Sequence, residues 1–151
     1  YRDYEMYNEK GELLVIATSK WTLINIFEGK IASLTPELIS AYEGEEKSVF
    51  EERTIQKLKE PQTQISKIDY KILRSDINEH VHNLYYLDFA YEALPLEIYK
   101  AEENNNIEIM YKKQIKYGEP ITCIYTMEEN QNIVTIKSQD EKTLHAIVKL
   151  Y

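Results

Sequence analysis

One stretch limits the fold more than any other. Leu84 to Leu94 is the longest helical pattern in a chain that otherwise reads as strands and turns. Leu84, Leu87, Tyr91 and Leu94 recur at helical spacing along one stripe, with Phe89 beside it. Asn83 is expected to cap this helix, and Pro95, which cannot continue it, ends it, with one more turn over Leu96 to Lys100. Before it, Ile68, Tyr70 and Ile72 alternate on one strand face. After it come four strand patterns, Ile107 to Ile115, Ile121 to Met127, Ile133 to Lys137 and Thr143 to Leu150. The turns between them are Tyr117-Gly118-Glu119-Pro120, Glu128 to Asn132 and Ser138 to Glu141. A lone helix among antiparallel strands buries its stripe by lying in the concave face of a curved sheet, so residues 67–151 predict an α+β domain.

The first part of the chain has another plan. Tyr4 to Asn8 reads as a strand, Glu9 to Glu12 as a turn, and Leu13 to Phe27 as one long strand, bulged near Ser19-Lys20. Thr35-Pro36-Glu37 opens a short helix that ends before Gly44. Residues 43–66 are charged and weakly periodic, which predicts a surface linker. Residues 1–34 are thus mostly sheet with no long helix to cover a face. That exposed face and edge predict either oligomerisation, a homodimer being one form of it, or low activity of this stretch alone.

Composition removes several function classes. The single cysteine, Cys123, excludes an internal disulfide and a cysteine-based zinc site, and its strand position reads as a buried apolar one. A reducing cytoplasm suits this usage. Net charge is -8, divided as 8 basic and 12 acidic groups over residues 1–60 against 10 and 14 over 61–151, which leaves no basic half for nucleic acid. Lys112, Lys113 and Lys116 form the one local basic cluster. No run is long and apolar enough for a membrane helix, and the opening Tyr1-Arg2-Asp3 is read as the interior of a longer chain. There is no Gly-rich phosphate loop, nucleophile elbow or His-x-x-x-His metal pair, and no cofactor is expected.

Chemistry concentrates in Asp76-Ile77-Asn78-Glu79-His80-Val81-His82-Asn83, between the first strand of the domain and its helix. A histidine titrates near neutrality and can activate a water, and a carboxylate can do the same or orient the ring. An asparagine amide and the N–H groups at a helix start can stabilise charge on an acyl oxygen. Asp and Asn are also favoured in turns and caps without any catalysis, so composition alone leaves both readings open.

The segment Ser75 to Phe89 resembles the D-x-N-x-H-V-N-N-x-x-Y-x-x-W segment of acyl-acyl-carrier-protein (acyl-ACP) thioesterases. Glu92-Ala93-Leu94-Pro95 resembles the E-x-x-P that closes that family's helix, and Ile109 to Ile115 the strand E-Y-R/K-x-E after it. Upstream, Ala17 to Asn25 is similar to A-x-S-x-W-V-L-I-D, and Ile31 to Glu37 to the R-I-P-x-E segment. The resemblance implies a hot-dog fold, an antiparallel sheet wrapped around a central helix. Residues 1–42 would be the closing strands of a truncated first repeat, 43–66 a linker, and 67–151 a complete second repeat. It further implies hydrolysis of acyl-ACP to a free fatty acid, with acyl carrier protein as partner. Asp76, Asn78 and His80 match the catalytic positions: His80 and Asp76 for water activation, Asn78 for holding the carbonyl or the loop. The family's strand glutamate aligns with Gln114, which can orient a water but not act as a base. The neighbouring position, cysteine in some members, is Ile115, and the first Asn of H-V-N-N is replaced by His82, while Asn83 matches the second. Two alternatives stay open: an acyl-coenzyme A thioesterase of the hot-dog class, and a non-catalytic hot-dog module that binds acyl groups or a partner.

Overall fold

The computed structural model describes residues 1–52, 55, 57–71, 79–101 and 104–151. The chain divides into two compact units, residues 1–56 and 57–151.

In the first unit β1 (Arg2–Tyr7) and β2 (Leu13–Ser19) form an antiparallel hairpin. Asn8 builds its turn, with Oδ1 accepting the N–H groups of Lys10 and Glu12, both at 2.9 Å. Two short strands, β3 (Ile24–Asn25) and β4 (Lys30–Ile31), pair across a turn closed by Gly29 at φ 65°. Helix α1 (Pro36–Ser40) starts as its sequence implies: Thr35 Oγ1 accepts the Leu38 N–H at 3.3 Å, and Pro36 sits in the first turn. The expected long strand to Phe27 is instead broken at Ser19. The ladder with β1 ends at the Arg2–Ser19 pair, and a strand without a partner has no reason to stay extended. No described residue of this unit is buried, and Leu14, Val15, Met6 and Phe27 all face solvent.

Among the described residues the second unit holds a five-stranded antiparallel sheet. Its elements in chain order are β5 (Ser66–Lys71), α2 (Asn83–Glu92), α3 (Leu96–Lys100), β6 (Ile107–Tyr111), β7 (Pro120–Glu128), β8 (Gln131–Ser138) and β9 (Leu144–Leu150). The spatial order is β5-β7-β8-β9-β6. β7 and β8 are joined by Glu129-Asn130, both in the left-handed region, as a two-residue hairpin between right-twisted strands requires. Helix α2 lies against β8 and β9. Period two sorts the sheet: Ile121, Cys123, Tyr125, Val134, Ile136, Ala146, Val148 and Leu150 share a core with the helix. The alternate positions Thr122, Thr126, Thr135, His145 and Ile147 are also buried, which is why β7 to β9 read as nearly continuous strand-forming runs.

The helix is where expected but turned. Its buried face is Tyr86, Ala90, Ala93 and Leu94, while Leu84 is 64% exposed. Seven of the ten α2 residues are apolar or aromatic, so several stripes compete, and the alanines let the helix axis approach the sheet closely. The cap is His82 rather than Asn83: its Nδ1 accepts the Leu84 N–H at 3.3 Å. β6 stops at Tyr111, earlier than the expected Ile115. Among the described residues no helix is long and apolar enough to cross a membrane.

Candidate active site

The described part of β5 ends at Lys71, and the described chain resumes at Glu79. Asp76 and Asn78 lie outside the described residues; His80 and Gln114 lie within them. Glu79 holds φ 60°, a conformation that costs a non-glycine residue about 1 kcal/mol or more. From there the chain runs antiparallel to residues 115–117. Tyr117 donates its N–H to Glu79 O at 3.1 Å, and Val81 donates to Ile115 O at 2.9 Å. Between those bonds His80 and Lys116 face each other across an isolated bridge. In this pattern they form the non-hydrogen-bonded pair, the one whose side chains stand closest.

Alternation assigns the rest. Val81 and Ile115 turn inward and are buried. His80 and Lys116 therefore take the opposite side. His80 is half-buried and Gln114 exposed. His80 thus faces Lys116, and Gln114 lies two residues before Lys116 on the same backbone segment.

Ile115 is the fixed point of this arrangement. Its side chain is fully enclosed, its carbonyl takes the Val81 N–H, and its own N–H donates to Tyr86 Oη at 3.0 Å. Tyr86 is itself 2% exposed, and burial pushes its hydroxyl above the ordinary phenol range. Tyr111 packs edge-on against Tyr86, ring centroids 5.2 Å apart, and donates its hydroxyl to Asn83 O at 3.3 Å. Helix, loop and ladder are therefore tied by two tyrosines. Their part was missed in the sequence reading, although Tyr86 falls in the motif; only its helical neighbour Ala90 marks the buried stripe.

The positive end of α2 points at this same segment, since the first turn of a helix leaves N–H groups without carbonyl partners. His82 occupies the capping place, which gives it a structural task apart from His80. Cys123 is enclosed in the sheet, and burial, helped by the nearby Glu92 and Asp69 carboxylates, pushes its thiol up to about 12. A thiol in that state is a packing group rather than a nucleophile. What the described residues can do chemically is hold an imidazole opposite a lysine just ahead of a helix start.

The sequence profile of the acyl-ACP thioesterase C-terminal domain matches residues 56–149. Comparison with curated proteins gives no match. Among solved structures, an acyl-ACP thioesterase from Bacteroides thetaiotaomicron is similar at a TM-score of 0.77 and 21% identity, over 98% of this chain and 60% of that one. The 12:0-ACP thioesterase from Umbellularia californica gives 0.74 and 16%, with the same coverage of 98% and 60%. At these identities the likeness shows a shared fold, and the chain spans 60% of the length of either structure. The profile covers well over half of the chain, in the unit that holds the sheet and the ladder, and the chain belongs to the acyl-ACP thioesterase family.

Proposed function

We propose that the chain is part of an enzyme that hydrolyses acyl-ACP thioesters to free fatty acid and holo-ACP, in fatty acid biosynthesis in the cytoplasm. One observation supports this above the rest: the ladder between residues 79–81 and 115–117, anchored through Tyr86, sets His80 opposite Lys116 just ahead of α2, with Gln114 two residues from Lys116 in the chain. In this reading residues 67–151 are the complete second hot-dog repeat, 43–66 a linker, and 1–42 the closing strands of a first one.

His80, oriented by Asp76, takes a proton from water as the water oxygen attacks the thioester carbonyl carbon. The C–O bond forms, the carbonyl oxygen becomes an oxyanion, and Asn78 together with the N–H groups at the start of α2 stabilises it. The intermediate then collapses, the C–S bond breaks, and His80 returns the proton to the departing sulfur. Gln114 orients the water by hydrogen bonds and takes no proton. Lys112, Lys113 and Lys116 are exposed beside the site and suit an acidic carrier.

The carrier assignment is tested by comparing rates on acyl-ACP and acyl-coenzyme A with one acyl chain. A preference for acyl-ACP is expected, and a clear preference for coenzyme A would contradict it.

A further inference from the structure

His145 is fully enclosed in β9, on the sheet face turned away from α2, and the reaction outlined above uses none of its atoms. The third histidine of the chain therefore needs its own account. Its carbonyl and its ring both contact the segment from Lys112 to Glu119. The His145 carbonyl accepts the N–H of Lys112 at 2.8 Å and of Lys113 at 3.2 Å. The ring closes on the same segment, with Nδ1 3.1 Å from Lys113 O. A carbonyl only accepts, so Nδ1 carries the hydrogen of this bond.

Nε2 then faces the Glu119 carboxylate, 3.4 Å from Oε1, with no hydrogen-bond partner among the described residues. The other carboxylate oxygen accepts the Lys116 N–H at 2.9 Å, and the Glu119 N–H donates to Lys116 O at 3.1 Å. Lys116 is the residue that faces His80. A chain of contacts thus runs from His145, whose Nε2 pairs with the carboxylate when both ring nitrogens carry hydrogens, to Glu119, and from there by hydrogen bonds to the backbone of Lys116 and across the ladder. An apolar residue such as the neighbouring Ile147 would fill the His145 position without leaving a buried nitrogen opposite a carboxylate.

We propose that His145 and Glu119 are a positioning pair for the site. His145 pins the loop to β9, and Glu119 passes that anchoring to Lys116, so that residues 115–117 stay in register with residues 79–81. This role rests on the His80-centred hydrolase reading, because only there does the register of the ladder control turnover.

The test uses Glu119→Ala and Glu119→Gln in the full-length protein, with two readouts. One is amide hydrogen exchange at Val81 and Tyr117, whose N–H groups span the ladder. The other is kcat and KM on an acyl-ACP thioester. In Glu119→Ala both amides are expected to exchange about tenfold faster, and kcat to fall about tenfold while KM stays within about twofold. Glu119→Gln can still accept the Lys116 N–H and is expected to recover both the protection and most of kcat. Unchanged exchange in Glu119→Ala overturns the proposal, and so does faster exchange with unchanged kcat. Should the alanine variant fail to fold, His145→Asn carries the same expected and contrary outcomes, because its shorter amide reaches Lys113 O and not Glu119. A wild-type protein without turnover would sink the hydrolase reading instead, while the exchange data still decide whether the pair holds the ladder.

Discussion

Tyr86, buried in α2, accepts the backbone N–H of Ile115 at 3.0 Å, and Ile115 in turn accepts the N–H of Val81, the residue after His80. One phenol oxygen thus links the helix to both strands of the short ladder. Tyr86→Phe keeps the ring and removes the acceptor, which leaves a buried N–H unsatisfied. Such a loss costs about 1–3 kcal/mol. Urea unfolding should show a lower midpoint with an unchanged slope; a shift below about 0.5 kcal/mol would mean that the bond does not carry the ladder.

His82 and His80 stand two residues apart and should separate cleanly. His82 caps α2 through Nδ1, so His82→Ala is expected to cost about 0.5–1 kcal/mol of stability and leave kcat near wild type. A kcat loss as deep as that of a His80 variant would place His82 in the catalytic machinery.

Cys123 supplies a pH test. Its thiol, ordinarily near 9.0, is pushed up to about 12 by burial. The native protein therefore keeps this proton over a range in which the unfolded chain has lost it. The contribution is full below about pH 9 and is lost as pH rises towards about 12. Buried Tyr86 acts in the same direction. Alkaline denaturation should be shallower in Cys123→Ala than in wild type, by up to one proton. An equal slope would contradict it. At pH 8, alkylation of Cys123 should proceed only as fast as the protein opens, and rapid modification of the folded chain would show an accessible thiol.

Gln114 is exposed, so replacing it should change activity without changing stability. Gln114→Ala is expected to lower kcat about tenfold with an unmoved urea midpoint, as for a residue that only orients water. Unchanged kcat would remove Gln114 from the site.

Much of the second unit was legible because its signals are local. Pro95 ends the helix where a missing N–H must, and period two in β7 to β9 marks core positions such as Val134 and Val148. The helix face was not legible, because Leu84 and Tyr86 are equally acceptable inside a core until the sheet chooses the alanine side. The break in β2 at Ser19 depends on where its partner strand stops, which no propensity encodes. In the candidate site, His80 was visible within a dense polar motif. Ile115 and Glu119 were not, since their importance comes from hydrogen bonds to residues far away in the sequence. His145, alone in an apolar strand, gave no sign of the loop it grips.

The most direct measurement is free-thiol release from an acyl-ACP substrate by the full-length protein and its His80→Ala variant. The account predicts turnover by wild type and a kcat lower by about 100- to 10,000-fold in the variant, with little change in folding. No thiol release by wild type, or equal release by both proteins, would contradict a His80-centred thioesterase.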